Sequence, residues 1–431
     1  MELTRRDLLK SSAFAPAASA YAANDQVQVG VIGCGARSQE LMTALTAHSG
    51  VRITKICDVY QGRVERTIEK TKASAAKNWR EILADKSIDA VVIASPDHWH
   101  KAHVIEALRA GKDIYCEKPL TYTTDEGLEI LKAVKESGRI LQVGSQGVSS
   151  ESNLKAREMI SSGKLGQVTM IRAAYNRNTA SGAWIYPIPP DASPSTVNWD
   201  EFQGSAKKHQ FSLERFFRWR CYTDYSGGIA TDLFVHLCTT IHFLMGAKMP
   251  SRVVAMGQLY RWKESRNVPD TLNAILEYPE GFAVNLSSTF NNESSSGASF
   301  QFLGTEGSLS LGGSVRYEPE HVVEDNRWVV ESWPSRLEQA YYADPKVRAS
   351  ELPGTQPAKM LRGAEVFQST GRDSTYLHFG NWLNALRTRK PHWEDALNGH
   401  RAAACAHMIN QSARTKASVE WDFATENIRR S

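Results

Sequence analysis

The 431-residue chain has little excess of either charge: 51 Lys and Arg stand against 47 Asp and Glu, a net +4. So even a balance gives no electrostatic footprint for nucleic acid. No apolar run reaches the ~18–20 residues that a membrane-spanning helix needs. The six cysteines, Cys34, Cys57, Cys116, Cys221, Cys238 and Cys405, form no CxxC pair and no regular spacing. That pattern argues against the common zinc and dithiol signatures, and free thiols packed as small hydrophobes are expected instead of disulfides. No internal repeat is visible, which removes solenoids and propellers. What remains, at 42% hydrophobic and 23% charged residues, is an ordinary globular composition of a length that suits two domains.

The N-terminus reads Thr4-Arg5-Arg6-Asp7-Leu8-Leu9-Lys10, followed by a weakly apolar Ala/Ser-rich stretch and small residues around Ala18-Ser19-Ala20 and Ala20-Tyr21-Ala22. Paired arginines, modest hydrophobicity and a small-x-small exit match a twin-arginine export signal over residues 1–23. A periplasmic or otherwise exported destination follows, with the Tat machinery as a partner. That route carries proteins already folded around their cofactors.

Over residues 24–147, Val/Ile-rich strands alternate with helical segments. The expected strands are Val27–Ile32, Arg52–Cys57, Ala90–Ala94, Asp113–Cys116 and Ile140–Val143. The helices fall near Gly62–Lys72, His100–Ala110 and Asp125–Ser137. This rhythm predicts an α/β fold with a Rossmann-type parallel sheet, its ligands gathered at the strands' C-terminal ends. Residues 148–431 read as a second α+β domain with a large, mostly antiparallel sheet. Its expected elements are a helix at Glu151–Ser162, strands at Val168–Ala174, Val253–Tyr260, Leu272–Tyr278, Phe282–Thr289 and Ser299–Leu303, and closing helices over Tyr376–Thr388 and Gly399–Arg414. Polar, weakly periodic residues 312–373 are expected to be a loop-rich insertion.

Gly33-Cys34-Gly35-Ala36-Arg37-Ser38 follows the first strand and opens a helix, the context of a dinucleotide fingerprint. The first glycine permits the turn, and the second lets the backbone approach a pyrophosphate at the helix N-terminus. Ser38 stands where the third small residue is usual. Asp58 ends the second strand 23 residues after Gly35, placed to accept ribose hydroxyls, which favours NAD. Its alternative role is to cap the next helix. Arg63, within reach as a phosphate partner, leaves NADP open. Ser95, Pro96, His98 and His100 at the end of the fourth strand, with Glu117 and Lys118 at the end of the fifth, complete the expected nucleotide contacts. Asp97, His100 and His103 also have metal-like spacing, but such a sheet edge serves nucleotides far more often than zinc, so no metal is expected.

Cys116-Glu117-Lys118-Pro119 is followed much later by Gly227-Gly228-Ile229-Ala230-Thr231-Asp232-Leu233-Phe234-Val235-His236 and by Gly304-Thr305-Glu306-Gly307. With the glycine loop, in this order, they resemble the Gfo/Idh/MocA family of glucose-fructose oxidoreductases and inositol dehydrogenases. The resemblance spans essentially the whole chain after the leader. It implies Lys118, Asp232 and His236 as the catalytic set, a cis Lys118–Pro119 peptide, His378 as a pocket residue, and a homodimer or homotetramer paired through the broad sheet.

The chemistry of those three residues is coherent by itself. Asp232 and His236 are four apart on an expected helix and share a face, opposite an inward stripe of Ile229, Leu233, Leu237, Ile241 and Leu244. Oxidising a secondary alcohol requires a base for the hydroxyl proton, and histidine titrates near neutrality. The carboxylate one turn away can orient that ring, and Lys118 can stabilise developing alkoxide charge. Residues 175–225 interleave aromatics and arginines, among them Trp184, Tyr186, Trp199, Phe216, Phe217, Arg218, Trp219, Arg220 and Tyr222. They suit stacking on a sugar, with Arg218, Trp219 and Tyr222 as substrate residues, and suit domain core or subunit interface equally.

The expected activity is therefore hydride transfer between a secondary hydroxyl of a sugar, cyclitol or glycoside and a nicotinamide cofactor that an exported protein must hold tightly. The alternative is a redox-neutral NAD-dependent glycosidase similar to glycoside hydrolase family 109, whose motifs lack the Glu-Lys-Pro run. A sugar sensor that has lost turnover is a third reading, weakened by the presence of all three residues.

Overall fold

The computed structural model describes residues 26–294, 297–320, 326–351 and 363–429; the export signal expected at 1–23 lies outside them. The first half alternates strands β1 (Val27–Ile32), β2 (Val51–Cys57), β3 (Ser74–Ala75), β4 (Ala90–Ile93), β5 (Asp113–Glu117) and β6 (Leu141–Gly144). Helices α1 (Ala36–Thr46), α2 (Gln61–Thr71), α3 (Trp79–Ala84), α4 (His100–Arg109) and α5 (Thr124–Ser137) join them. The strands form one parallel sheet in the order β3-β2-β1-β4-β5-β6. The order reverses between β1 and β4, so the crevice that binds nucleotides in doubly wound sheets opens there.

After helix α6 (Glu151–Ser161) the chain enters β7 (Val168–Asn176), then a long segment with two short α-helices, α7 (Trp199–Gln203) and α8 (Leu213–Phe217), and a 3-10 turn at Trp219–Cys221. Helix α9 (Val235–Met245) is preceded by a π-helical turn, Ala230–Phe234, that carries Asp232. Strands β8 (Arg252–Gln258), β9 (Thr271–Tyr278), β10 (Phe282–Thr289), β11 (Gly297–Gly304), β12 (Gly307–Leu311) and β13 (Val315–Pro319) follow. In β9, Leu272, Ala274, Leu276 and Tyr278 face the core while Asn273, Ile275 and Glu277 face out, the period-two pattern of a one-sided sheet. Helices α10 (Arg327–Val330), α11 (Ser335–Ala343) and α12 (Pro345–Ser350) precede β14 (Glu365–Phe367). Helices α13 (Ser374–Thr388) and α14 (Ala396–Thr415) and strands β15 (Val419–Asp422) and β16 (Asn427–Ile428) complete the chain. The second sheet has ten strands, ordered β14-β13-β12-β11-β7-β10-β9-β8-β15-β16, with β7 and β10 parallel.

Two sequence expectations need correction. The segment 312–373 is not only loop: β13 and β14 extend the large sheet, and among the described residues three helices sit between them. Their alternation is too short to register as a period in sequence. Helix α13, assigned above to the second domain, belongs to the core of the first. Phe379, Trp382, Leu383, Ala385 and Leu386 are buried against β1, β2 and α1 residues such as Val29, Ile53, Leu41 and Leu45. Trp382 Nε1 donates to the Ile114 carbonyl at 3.1 Å, and Arg389 pairs with buried Asp113. A parallel sheet requires cover on both faces, and α13 returns from the far end of the chain to supply part of it.

Candidate active site

A cleft of about 1530 Å³ runs along the C-terminal edge of the parallel sheet to the start of α9. It exceeds the ~300–1,000 Å³ usual for one small ligand, enough for a dinucleotide and a second molecule. Gly33, Gly35, Ala36, Arg37, Ser38, Asp58, Ser95, Pro96, Glu117, Lys118, Trp219, Asp232 and His236 all line it.

The glycine loop is built for a close anion. Gly33 holds φ +87°, and a Cβ there would lie 2.7 Å from the Ala94 carbonyl. A Cβ on Gly35 would meet nothing nearer than the Arg63 guanidinium carbon, 3.9 Å away, so the cradle above it is open. Gly35 caps α1 without a side-chain bond, and the first turn of that helix carries no acid. Its amide donors are left for a phosphate group. Asp58 ties the glycine loop to the turn before α2: its two carboxylate oxygens accept from the Cys34 and Tyr60 amides at 2.7 and 2.9 Å, and Arg63 stands 3.7 Å away. Glu117 accepts from Gln146 at 2.7 Å and pairs loosely with Arg37 at 3.4 Å. These residues fit a bound dinucleotide.

At the other end, the Lys118–Pro119 peptide is cis, as the resemblance implied. Lys118 Nζ donates to the Asp232 carbonyl at 2.8 Å and to its Oδ1 at 2.9 Å. Arg220 Nε donates to the same Oδ1 at 3.1 Å. Burial would raise the Asp232 pKa, but Lys118, Arg220 and Arg177 outweigh it and hold the carboxyl well below its usual range. The expectation that Asp232 orients the His236 ring is therefore corrected, since its hydrogen bonds go to the two cations. Burial and the Lys118 charge keep His236 well below its ordinary pKa, so its half-buried ring is neutral at pH 7.

Several expected contacts are not in the cleft. His98 is buried and its Nε2 donates to the Phe202 carbonyl at 2.9 Å, with Trp99 Nε1 donating to the same oxygen at 2.8 Å. His100 is buried between the carbonyls of Ser95 and Pro119. Tyr222 packs in the second-domain core with Arg215 over its ring, and Arg218 donates to the Tyr186 carbonyl. His378 is fully buried between Ser149 Oγ and the Val143 carbonyl, while Ser374 and Thr375 reach the cleft instead. His98, His100, Arg218 and His378 thus spend polar atoms on backbone carbonyls. Trp184 proves to be core, Phe216 and Phe217 are core residues that also reach the cleft wall, and Tyr186, Trp199 and Trp219 line the cleft.

Two features escaped sequence reasoning. Tyr175 and Arg177, where β7 ends, line the cleft with no local signal beyond their types. The segment after Tyr186 also straps down the nucleotide side: Tyr60 bridges Val197, the Asn198 amide donates to Val59 at 2.7 Å, and Tyr60 Oη donates to Asp191 at 2.6 Å. Trp79 Nε1 donates to Glu201 at 2.9 Å across the same junction. Among the described residues, no group of His, Cys, Asp and Glu is arranged to hold a metal ion.

Fold and cleft together define a two-domain nucleotide-binding protein of the oxidoreductase kind, with its reactive side chains at the domain junction. The chain belongs to the Gfo/Idh/MocA oxidoreductase family: residues 27–145 match its NAD-binding Rossmann fold, and residues 157–421 match its C-terminal alpha/beta domain. Inositol 2-dehydrogenase 2 of Saccharopolyspora erythraea is 32% identical over 170 residues, 39% of this chain and 49% of the relative. An inositol 2-dehydrogenase/D-chiro-inositol 3-dehydrogenase of Shouchella clausii is 36% identical over 160 residues, 36% and 46% respectively. The chain thus matches about half the length of these curated relatives. Among solved structures, levoglucosan dehydrogenase with NADH and levoglucosan superposes with a TM-score of 0.68 at 18% identity, over 92% of this chain and 99% of that one. The WlbA dehydrogenase of Bordetella pertussis with NADH and UDP-GlcNAcA gives 0.64 at 19% identity, with the same coverage. At these identities the likeness is one of fold.

Proposed function

We propose that the protein is an NAD-dependent dehydrogenase that oxidises a secondary hydroxyl of a sugar, cyclitol or glycoside. The observation that carries this reading is the convergence of Lys118, Asp232 and His236 on one cleft with the open Gly33–Ser38 cradle. When bound, the nicotinamide ring supplies the hydride acceptor. Neutral His236 takes the hydroxyl proton, because its lowered pKa keeps the ring free to accept at neutral pH. Lys118 uses two contacts on Asp232 and retains a third ammonium proton for the oxygen that becomes an alkoxide. Asp232 holds Lys118 aimed through those two contacts.

The cofactor is retained between turnovers, a reading supported by the strap from Asp191 to Glu201 across the nucleotide side. Asp58 favours NAD, and Arg63 beside it would accommodate a 2′-phosphate. The Arg5-Arg6 leader supports export by the Tat route to the periplasm, where retention matters most. The outward face of the ten-stranded sheet supports a homodimer or homotetramer: Val254 and Ile275, paired in register, are 51% and 60% exposed beside Met256 at 62%. No observation favours the redox-neutral glycosidase.

The test is absorbance of the purified protein in the reduced-nicotinamide band after sugars and cyclitols are added without cofactor. A persistent rise is expected. Aglycone release with only a transient rise would overturn net oxidation, and absence of nucleotide from the denatured protein would overturn retention.

A further inference from the structure

The charges around the reacting centre do not balance, and the imbalance has a shape. Lys118 and Arg220 share a single carboxylate, that of Asp232. Arg177, which also lines the cleft, has no carboxylate within 4.0 Å among the described residues; one terminal nitrogen donates to the Gly182 carbonyl at 3.2 Å. Its place is fixed, since the Arg177 amide donates to the Thr289 carbonyl at 2.9 Å and its guanidinium stands 5.2 Å from the Tyr175 ring centre. Of the other acids of the cleft, Glu40 and Glu117 pair with Arg37, Asp58 with Arg63 and Glu201 with Arg80, while Asp200 lies in α7, part of the strap over the nucleotide side. Asp97, which also lines the cleft, accepts from Ser226 at 2.9 Å; burial raises its pKa, and whatever charge it carries is offset by the His100 imidazolium. Cations therefore stand in excess at the substrate end.

An excess of partly desolvated charge is costly unless a ligand completes it. A neutral sugar cannot, because hydroxyl groups carry no compensating charge. A guanidinium fork matches the two oxygens of a carboxylate in one plane. We propose that the substrate is an acidic sugar, one whose carboxylate is received by Arg177 and Arg220 while its secondary hydroxyl meets Lys118 and His236. Tyr186 and Trp219, the latter under Arg220 with the guanidinium 4.2 Å from its ring centre, line the same space and offer faces to the ring's C–H surface. The proposal rests on the dehydrogenase reading and narrows its substrate class.

The test compares matched methyl glycosides in the gluco, galacto and manno series, each as the hexoside, the uronide, the uronide methyl ester and the 6-phosphate. The cofactor-loaded protein is used, and both nicotinamide reduction and ligand-induced shift of melting temperature are read. The expected result is that the uronide exceeds the hexoside and ester of its series by at least tenfold in kcat/KM, and that Arg177→Gln removes that preference. Hexosides or 6-phosphates outrunning uronides would overturn the proposal and leave the dehydrogenase reading standing. Uronide-specific stabilisation lost in Arg177→Gln, without nicotinamide reduction in any series, would support the acidic ligand and overturn the dehydrogenase. Neither turnover nor uronide-specific stabilisation would overturn both.

Discussion

The His100 ring holds the turn that carries Lys118, with its Nδ1 2.7 Å from the Pro119 carbonyl while its Nε2 lies 2.8 Å from the Ser95 carbonyl. Both partners are acceptors, so both nitrogens donate and the ring is an imidazolium. Burial opposes that charge, but Cys116, Asp97 and the Pro119 carbonyl outweigh it and push the pKa up to about 10. His100→Gln can serve only one of the two carbonyls. With charged hydrogen bonds contributing ~1.5–3 kcal/mol, turnover should fall by roughly 10-fold or more while NAD stoichiometry holds. Unchanged kcat would mean that the Lys118 turn does not need this clamp.

His236→Ala and Lys118→Ala should each lower turnover by at least ~100-fold and leave nucleotide bound. The pH profile separates their roles. Lys118 is among the charges that depress His236, so Lys118→Ala should move the acid limb of kcat/KM to higher pH; Asp232 opposes it, so Asp232→Asn should move the limb lower. Shifts of the opposite sign would remove His236 as the base.

Tyr60→Phe deletes the hydroxyl that donates to Asp191 and leaves the ring packed on Phe216 and Phe217. One such bond contributes ~0.5–1.5 kcal/mol, so NADH should leave about 2- to 10-fold faster. Stopped-flow fluorescence reads this directly, and an unaltered release rate would show that the strap does not retain cofactor.

Acid should destabilise the fold through its buried histidines, against a smaller opposing contribution from Glu394, whose carboxyl burial raises to about 8. Burial depresses His98 to about 4 and His242 and His378 to about 3. Between pH 6.5 and about 4 the unfolded chain binds protons at these sites and the native chain does not, so unfolding free energy falls as pH falls. Each fully mismatched site contributes about 1.4 kcal/mol per pH unit. His100 acts in the other window: its contribution is complete below pH 6.5 and is lost as pH rises toward 10. Urea midpoints that stay level from pH 7 to pH 5 would contradict the buried neutral histidines.

Trp382→Ala, in a helix more than 200 residues beyond the parallel sheet in sequence, should cost ~3–5 kcal/mol and weaken nucleotide binding as well. If nucleotide affinity survives while only the second domain loses stability, α13 is not part of the first core.

Legibility in the sequence followed the range of the interactions. The Val27–Ile32 strand, the Gly33–Ser38 turn and Asp58 were readable because strand alternation and turn chemistry act over a few residues. His98, His100 and His378 carry the same side chains as ligands do, and only their distant carbonyl partners, Phe202, Pro119 and Val143, mark them as structural. The aromatic segment divided in the same way, Trp184 going to core and Tyr186 and Trp219 to the cleft, a sorting that depends on which face the rest of the chain covers.

The sequence by itself determined the two-domain order and the nucleotide cradle, and its ordered motifs pointed to Lys118, Asp232 and His236, since each rests on local periodicity or an ordered motif. Tertiary structure decided what those residues do to one another. Asp232 became the counter-ion of Lys118 and Arg220, α13 became cover for a sheet far away in sequence, and Arg177 reached the cleft from β7. Electrostatic partnership depends on distance in space, and a chain written in one dimension does not carry those distances.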